Sequence, residues 1–194
     1  VFSHEILIKV KDGKISSYPM KGTINAAIPD AEKIILEDIK EIAEHNTIVD
    51  LIRNDLSMVS KKVQVERFRF IDHVKTRDKT LLQVSSEIAG EVSNTFFDLL
   101  GDHFYRLLPA GSISGAPKAK TLEVIQEAEQ YKRGFYTGVF GYFDGESLDS
   151  AVMIRYIEKQ GDQMVFKSGG GITTFSDCEK EYQELIDKVY LPIY

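Results

Sequence analysis

The chain has 194 residues, of which 43% are hydrophobic and 28% are charged, a composition typical of one globular domain and unlike that of a disordered or fibrous chain. A formal net charge of −6 argues against non-specific nucleic-acid binding, which requires a basic surface. No apolar run reaches the roughly 18 residues of a membrane span, and the first residues lack the basic segment of a signal peptide, so we expect a cytoplasmic protein.

The first half of the chain predicts a hairpin with Gly13 at its turn, followed by a loop over the PMKGT segment, residues 19–23. The spacing of apolar residues then predicts further helices and strands. In chain order these are a helix over 31–44, a helix over 47–58, strands over 63–75 and 80–92, and a helix from its N-cap Asn94 to about His103.

The second half begins with LPAGSISGAPK, residues 108–118, the longest run of small and turn-forming residues in the chain. The elements predicted after it are a helix over 119–131, strands over 137–144, 148–157 and 163–168, and a closing helix over 177–190. There is no internal repeat and no linker. The whole chain, 1–194, is therefore predicted to be one α+β domain with antiparallel sheets and helices packed against them.

Two pairs of glutamates are spaced three residues apart within predicted helices: Glu41 with Glu44, and Glu181 with Glu184. Residues three apart share one face of a helix, so each pair can direct two carboxylates at one point. Two such faces brought together would suit a hard cation such as Mg²⁺, which prefers oxygen ligands. Glutamates at this spacing are also common on solvent-exposed helix faces, and the spacing alone favours that simpler interpretation.

Two glycine-containing segments precede predicted helices and could approach an anion with their backbone N–H groups. One is Gly169-Gly170-Gly171, and the other is the run from Gly111 to Lys118. Neither matches a P-loop or a dinucleotide-binding motif, so nucleotide binding is not indicated. A tight connection that holds no ligand remains an alternative for both segments.

Other polar residues have simple explanations when they are taken singly. Lys21 is a surface lysine unless desolvation or a neighbouring cation makes its amine nucleophilic. The histidines lack metal-ligand spacing, and the single cysteine excludes an internal disulfide. Four polar residues on the second helix indicate either an exposed face or an internally paired network: Asp50, Arg53, Asn54 and Asp55.

Six segments, in this order, carry a resemblance to one known family. They are PMKGT, EHNTIVDLIRNDLS, GSISGAPKAKTLEVIQEAE, TGVFGYFDG, AVMIRY and GGGITTFSDCEKEYQELIDKV. The chain resembles the chorismate-utilising enzymes, a family that includes anthranilate synthase, aminodeoxychorismate synthase, isochorismate synthase and salicylate synthase. The resemblance covers nearly the whole chain, and chance agreement at all six segments is negligible.

The resemblance implies a sandwich of two large antiparallel sheets flanked by helices, with the active site between the sheets. It also implies that the chain is the C-terminal part of a longer one, whose N-terminal strands are missing. Mg²⁺ is the implied cofactor. Its implied ligands are Glu44 and Glu184, with Glu41 and Glu181 as supporting carboxylates that act through water.

The contacts that this family makes to its anionic substrate correspond to several positions of the chain. Arg155, in the MIRY segment, matches the arginine that grips a substrate carboxylate, a task for which its forked guanidinium is suited. The other substrate contacts implied by the resemblance are Ser114, Tyr142, Lys188 and the backbone N–H groups of Gly169, Gly170 and Gly171.

Lys21 separates two groups within the family. Many aminodeoxychorismate synthases have PIKGT at the PMKGT segment, whereas anthranilate synthases generally have alanine in place of the lysine. The resemblance therefore implies that Lys21 attacks C2 of chorismate and that Glu5 is the general acid for the departing 4-hydroxyl group. Ammonia from a separate glutaminase subunit would then complete 4-amino-4-deoxychorismate, the precursor of 4-aminobenzoate and folate.

The chain departs from the family pattern at three places: His4 replaces a proline before Glu5, Gln83 stands where many relatives have a histidine, and residues 175–178 lack the proline that some relatives have. Two alternatives stay open beside the leading interpretation. The chain is an anthranilate synthase component or another chorismate enzyme, or, because it is incomplete, it binds chorismate without converting it.

Overall fold

The computed structural model describes residues 3–75, 79–174, 176–187 and 189. Within these residues the strands, in chain order, are β1 (Ser3–Lys11), β2 (Lys14–Ser17), β3 (Met20–Asn25), β4 (Lys61–Lys75), β5 (Thr80–Glu91), β6 (Val139–Phe143), β7 (Leu148–Ile154), β8 (Tyr156–Gln160) and β9 (Gln163–Lys167). The helices are α1 (Ala31–Glu37), α2 (Ile39–Ser57), α3 (Leu100–Leu107), α4 (Gly111–Ser114), α5 (Lys118–Ala128) and α6 (Cys178–Asp187). None of the helices in this part of the chain is both long and apolar enough to cross a lipid bilayer.

Seven strands form one antiparallel sheet in the order β3-β5-β2-β1-β7-β6, in which β4 also pairs with β5. The remaining strands, β8 and β9, form a separate hairpin. Both β2 and β3 pair with β5 in one register, since Ser17 lies opposite Ile88 and Met20 lies opposite Ser85. They therefore behave as one strand interrupted at residues 18 and 19. The predicted α+β fold with antiparallel sheets is confirmed.

The predicted hairpin is also confirmed, but the loop predicted over residues 19–23 is wrong. Lys11 pairs with Lys14 across the turn, where Gly13 has a φ of 74°. The next strand, β3, then begins at Met20. Gly22 breaks the alternation because its φ is 76° and the β3–β5 register shifts there, which makes a bulge rather than a loop.

The single helix predicted over 31–44 is in fact two helices that meet at Asp38. The backbone of Asp38 is extended, with ψ 113°, so α1 ends before it. Its side chain then accepts a hydrogen bond of 3.0 Å from the backbone N–H of Glu41 and caps α2. Because of this cap, α2 runs unbroken from Ile39 to Ser57 and joins the two predicted segments.

Three other predicted elements have different bounds. The strand predicted over 148–157 divides at Arg155, whose φ of 47° turns the chain out of the large sheet and into the β8–β9 hairpin. The helix predicted from Asn94 is a turn and a short 3-10 helix, Phe97–Leu99, followed by α3, so Asn94 is not its N-cap. The closing helix spans Cys178–Asp187, and the end predicted at residue 190 lies outside the described residues.

The main core lies between the large sheet and α2. Its buried side chains come from the large sheet, from α2 and from the segment that includes α3, and they include Ile8, Val10, Ile15, Ile88, Ile48, Ile52, Leu56, Phe96 and Leu107. Burying each large aliphatic side chain stabilises the fold by about 1.5–3 kcal/mol. The core therefore fixes α2 against the sheet, and the polar residues on the flank of α2 are held at defined places.

Candidate active site

Lys21 lies on β3 at the bulge, directly before Gly22. A bulge re-aims the side chain next to it, and here it occurs where two helices approach the strand. A Cβ atom at Gly22 would lie 3.2 Å from the Glu41 carboxylate and 3.3 Å from the Ile35 side chain. Glycine at this position therefore allows both the positive φ and the close approach of α1 and α2 to the strand.

Two carboxylates of α2 face this bulge. The Nζ atom of Lys21 lies 3.7 Å from Glu44 Oε2, and both side chains are partly buried. Burial raises the pKa of Glu41, and the negative charges of Glu44 and Asp38 raise it further. The structure therefore brings Lys21, Glu41 and Glu44 together.

Glu5, on β1, also belongs to this cluster. The β1–β2 register, with Lys9 opposite Ser16, carries the start of β3 toward the start of β1. Burial raises the pKa of Glu5, while a hydrogen bond with Ser112 and the charge of Lys21 act in the opposite direction. Since burial is the largest of these causes, Glu5 is a carboxyl group that stays protonated more readily than usual.

An ion pair between Lys118 and Asp55 positions α4, the helix that carries Ser112. Lys118 Nζ donates to both carboxylate oxygens of Asp55, at 2.9 and 3.0 Å, and the backbone N–H of Gly111 also donates to this carboxylate. A Cβ atom at Gly111 would lie 2.7 Å from Asp55 and 2.9 Å from Leu51, so glycine lets α4 contact α2. Burial nevertheless raises the pKa of Asp55.

The polar residues of α2 thus divide between the two predicted interpretations, an internally paired network and an exposed face. Asp55 is buried and paired internally with Lys118, whereas Asp50 and Arg53 form an exposed pair at 3.2 Å. Two residues of the GSISGAPK segment, Gly111 and Lys118, likewise contact the Asp55 carboxylate.

Ser112, which the sequence pattern does not single out, is the hydroxyl that the structure brings to the site. Ser114, the predicted substrate contact, is 1% exposed, and its hydroxyl donates a hydrogen bond of 3.1 Å to the carbonyl of Ala110 in the same helical turn. No signal in the sequence indicates Ser112 over Ser114, because both lie in the short α4 and the packing of this helix decides which hydroxyl faces away from the core.

The structure does not gather the two predicted pairs of magnesium ligands into one cluster. Among the described residues, no three or more His, Cys, Asp or Glu side chains lie close enough together to hold a metal ion. On α6, Glu181 accepts a hydrogen bond of 2.6 Å from Ser176, and Glu184 is exposed. Glu41 and Glu44 do fit a cation, because the charge of Glu44 disfavours ionisation of Glu41 and Mg²⁺ commonly binds through only one or two carboxylates.

The remaining predicted substrate contacts lie in or after β6. Tyr142 is exposed on β6, with 71% of its surface accessible. Gly169, Gly170 and Gly171 follow β9, and a Cβ atom at Gly169 would overlap the hydroxyl of Tyr136. Gly169 is therefore required by packing whether or not its N–H group binds an anion. Lys188 lies outside the described residues.

Arg155 stands at the corner between β7 and β8 and is partly buried. Its φ of 47° lies in the left-handed region, which non-glycine residues adopt at a cost of about 1–2 kcal/mol. Such strain is often found at functional positions, where the surrounding structure maintains it.

Replacing Arg155 by glycine is expected to give a more stable protein than replacing it by alanine, by about 1 kcal/mol. Both substitutions delete the same side chain, so the difference reports only the backbone strain at this position. Urea unfolding of the two variants measures it. Equal free energies of unfolding would contradict the strained backbone.

Known proteins are similar to this chain in sequence and in fold. A family model described as chorismate binding enzyme matches residues 1–193. An uncharacterized PabA-like protein of Haemophilus influenzae is 55% identical over 192 residues, which cover 99% of this chain and 58% of that protein. Anthranilate synthase component 1 of Spirochaeta aurantia is 38% identical over 197 residues, covering 96% of this chain and 39% of its own length.

A solved structure agrees with these matches. The crystal structure of anthranilate synthase component I from Streptococcus pneumoniae TIGR4 superposes with a TM-score of 0.76 and 31% identity, over 95% of this chain and 41% of that one. The chain thus spans less than two thirds of the length of each of these relatives. Since the family model covers all but the last residue, the chain belongs to the chorismate-binding enzyme family.

Proposed function

We propose that this chain is the chorismate-converting part of an aminodeoxychorismate synthase that replaces the 4-hydroxyl group of chorismate with an amino group. The observation that carries the proposal is the environment of Lys21. Its amine lies 3.7 Å from Glu44 and within electrostatic reach of the partly buried Glu5. A nucleophile and a carboxylic acid thus lie close enough to interact, as a displacement with a poor leaving group requires.

In the first step the unprotonated Lys21 amine forms a bond to C2 of chorismate. Both conjugated ring double bonds shift, from C1=C2 and C5=C6 to C1=C6 and C4=C5, the bond between C4 and the 4-hydroxyl oxygen breaks, and Glu5 gives its proton to the departing oxygen, which leaves as water. The raised pKa of Glu5 favours the protonated carboxyl group that this step needs. Lys21 is then a secondary ammonium bound to C2, and Glu5 is a carboxylate.

In the second step ammonia attacks C4, both ring double bonds shift back, and the bond between C2 and the Lys21 nitrogen breaks. Lys21 leaves as a neutral amine, and the new C4 ammonium returns one proton to Glu5. The sum of both steps is chorismate and ammonia giving 4-amino-4-deoxychorismate and water. Both side chains end in their starting states, as a catalyst requires.

The substrate's carboxylates need cationic partners, and the proposal assigns them to a metal ion and to Arg155. Glu41 and Glu44 would hold Mg²⁺, and the ion would neutralise carboxylate charge on chorismate. Arg155 would bind a second carboxylate through its guanidinium. A glutaminase subunit is the proposed source of ammonia.

Replacing Glu5 by glutamine is expected to lower kcat by about 10²–10⁴-fold, because the proton donor is lost. It is also expected to stabilise the fold at neutral pH. The pKa of Glu5 is higher in the folded than in the unfolded chain, so stability falls as the pH rises through that interval.

The neutral glutamine removes this loss, so its stabilising effect should vanish at acidic pH, where Glu5 is protonated. Urea unfolding across the pH range and steady-state kinetics measure the two effects. An unchanged kcat in Glu5→Gln would exclude Glu5 as the acid.

An anthranilate synthase is the second candidate, because a relative with that name is 38% identical to this chain. Lys21 favours the aminodeoxychorismate reaction, since a lysine at the attacking position occupies C2 and directs ammonia to C4. Binding of chorismate without conversion is the third alternative.

Product analysis tests the proposal. The protein is incubated with chorismate, Mg²⁺ and ammonium chloride, with and without aminodeoxychorismate lyase, and the products are separated by chromatography. The proposal predicts 4-aminobenzoate only when the lyase is present. Anthranilate formed without the lyase would identify the second candidate, and chorismate binding without any product would identify the third.

A further inference from the structure

A polar trio adjoins the site but has no part in the chemistry above: the buried His45 and Ser86, and the partly buried Arg69. His45 follows Glu44 on α2 and is 1% exposed, and Ser86, on β5, is 0% exposed. His45 Nε2 lies 2.6 Å from Ser86 Oγ, and the same oxygen accepts a hydrogen bond of 2.9 Å from the backbone N–H of Arg69. One hydroxyl therefore joins α2 to two neighbouring strands.

Arg69 extends this connection to α1. It has a φ of 46°, at a place where the β4–β5 register shifts, so its strained backbone depends on the hydrogen bond to Ser86. Its guanidinium Nη2 donates to the carbonyl of Leu36 at 2.9 Å and to that of Ile35 at 3.5 Å. These carbonyls belong to the last turn of α1, which has no partners of its own for them. The trio thus holds both helices.

The same two helices, α1 and α2, approach the strand at Lys21 and Gly22. Glu44 on α2 lies 3.7 Å from the Lys21 amine, and Ile35 on α1 would lie 3.3 Å from a Cβ atom at Gly22. We propose that the His45–Ser86–Arg69 trio is a positioning device that sets the distance between the carboxylates of α2 and the Lys21 amine. This role rests on the proposed function only in taking Lys21 as the reacting amine.

Polar contacts suit this task better than the surrounding apolar ones. The aliphatic side chains of α2 in the core, such as Ile48 and Ile52, give non-directional contacts that tolerate small shifts of the helix. The hydrogen bond of 2.6 Å between His45 and Ser86 does not, because a shift leaves the buried His45 Nε2 atom unpaired. His45 comes directly after Glu44, so any movement it prevents is also prevented at Glu44.

The test compares His45→Asn with His45→Gln. The side-chain amide of glutamine extends about as far as Nε2 and can keep the contact with Ser86, whereas that of asparagine is too short. We expect His45→Asn to lower kcat for chorismate consumption by about 10–100-fold, with His45→Gln retaining most of the wild-type kcat.

Chorismate consumption is followed, so the comparison holds whichever product forms, and product identity tests the proposed function separately. Amide hydrogen exchange gives a second readout that needs no turnover. Residues 40–46 should lose protection in His45→Asn but not in His45→Gln, while β1 stays protected in both. Equal kcat in the two variants, or equal protection over residues 40–46, would overturn the positioning role.

Discussion

Replacing Lys21 by alanine is expected to abolish formation of 4-amino-4-deoxychorismate, lowering kcat by about 10⁴-fold or more. The variant keeps Glu5 and Glu44 but has no group that can form the bond to C2. The loss should appear in kcat rather than in the free energy of unfolding, because the Lys21 side chain is 39% exposed and its ion pair with Glu44 is long, at 3.7 Å. Coupled product assays and urea unfolding measure the two quantities.

Lys40→Ala is the matched control for this prediction. Lys40 also lies near Glu44, at 3.8 Å, but it is about half exposed on the outer side of α2. Its removal takes away a cation of the same type from the same carboxylate and should change kcat by less than about threefold, as expected for an exposed ion pair. Equal losses in the two variants would show that Lys21 acts only through the charge of Glu44.

Replacing Lys118 by methionine is expected to cause the largest loss of stability, about 3–5 kcal/mol. Methionine fills a similar volume, but it leaves the carboxylate of Asp55 buried with only the Gly111 N–H group as a donor. The destabilisation should be largest at neutral pH. It should shrink as the pH falls, because burial already raises the pKa of Asp55 and loss of Lys118 raises it further.

Lys120→Met provides the control, since Lys120 lies on the same helix and pairs with Glu123 at the surface, where both side chains are more than 60% exposed. That change should cost less than about 1 kcal/mol at any pH. Adding Asp55→Asn to Lys118→Met should recover part of the stability. If Lys118→Met unfolds at the same urea concentration as wild type, the pair does not anchor α4 and α5.

The sequence predicts those elements whose local pattern and tertiary environment agree. The hairpin around Gly13 and helix α5 follow from alternation and from helical spacing, and both occur close to the predicted residues. The errors occur where a single residue changes the backbone. Gly22 inserts a bulge within β3, Asp38 divides one apolar pattern into two helices, and Arg155 turns a strand out of the sheet.

The candidate site shows the same division. The spacing of Glu41 and Glu44 puts both on one face of α2, and the resemblance supplies Lys21 and Glu5, so the amino-acid sequence alone predicts these four residues. It does not predict Ser112, because which of two neighbouring hydroxyls faces Glu5 depends on how α4 packs against α2. That packing depends in turn on Asp55 and Gly111, which are far apart in sequence.

The central claim is that Lys21 forms a covalent bond to chorismate, and mass spectrometry tests it most directly. The protein is incubated with chorismate and Mg²⁺ in the absence of ammonia, quenched in acid and digested. We expect the peptide that contains Lys21 to gain the mass of one chorismate minus one water, and the Lys21→Ala protein to gain nothing. A protein that forms 4-amino-4-deoxychorismate when ammonia is added, yet never carries this adduct on Lys21, would contradict the account.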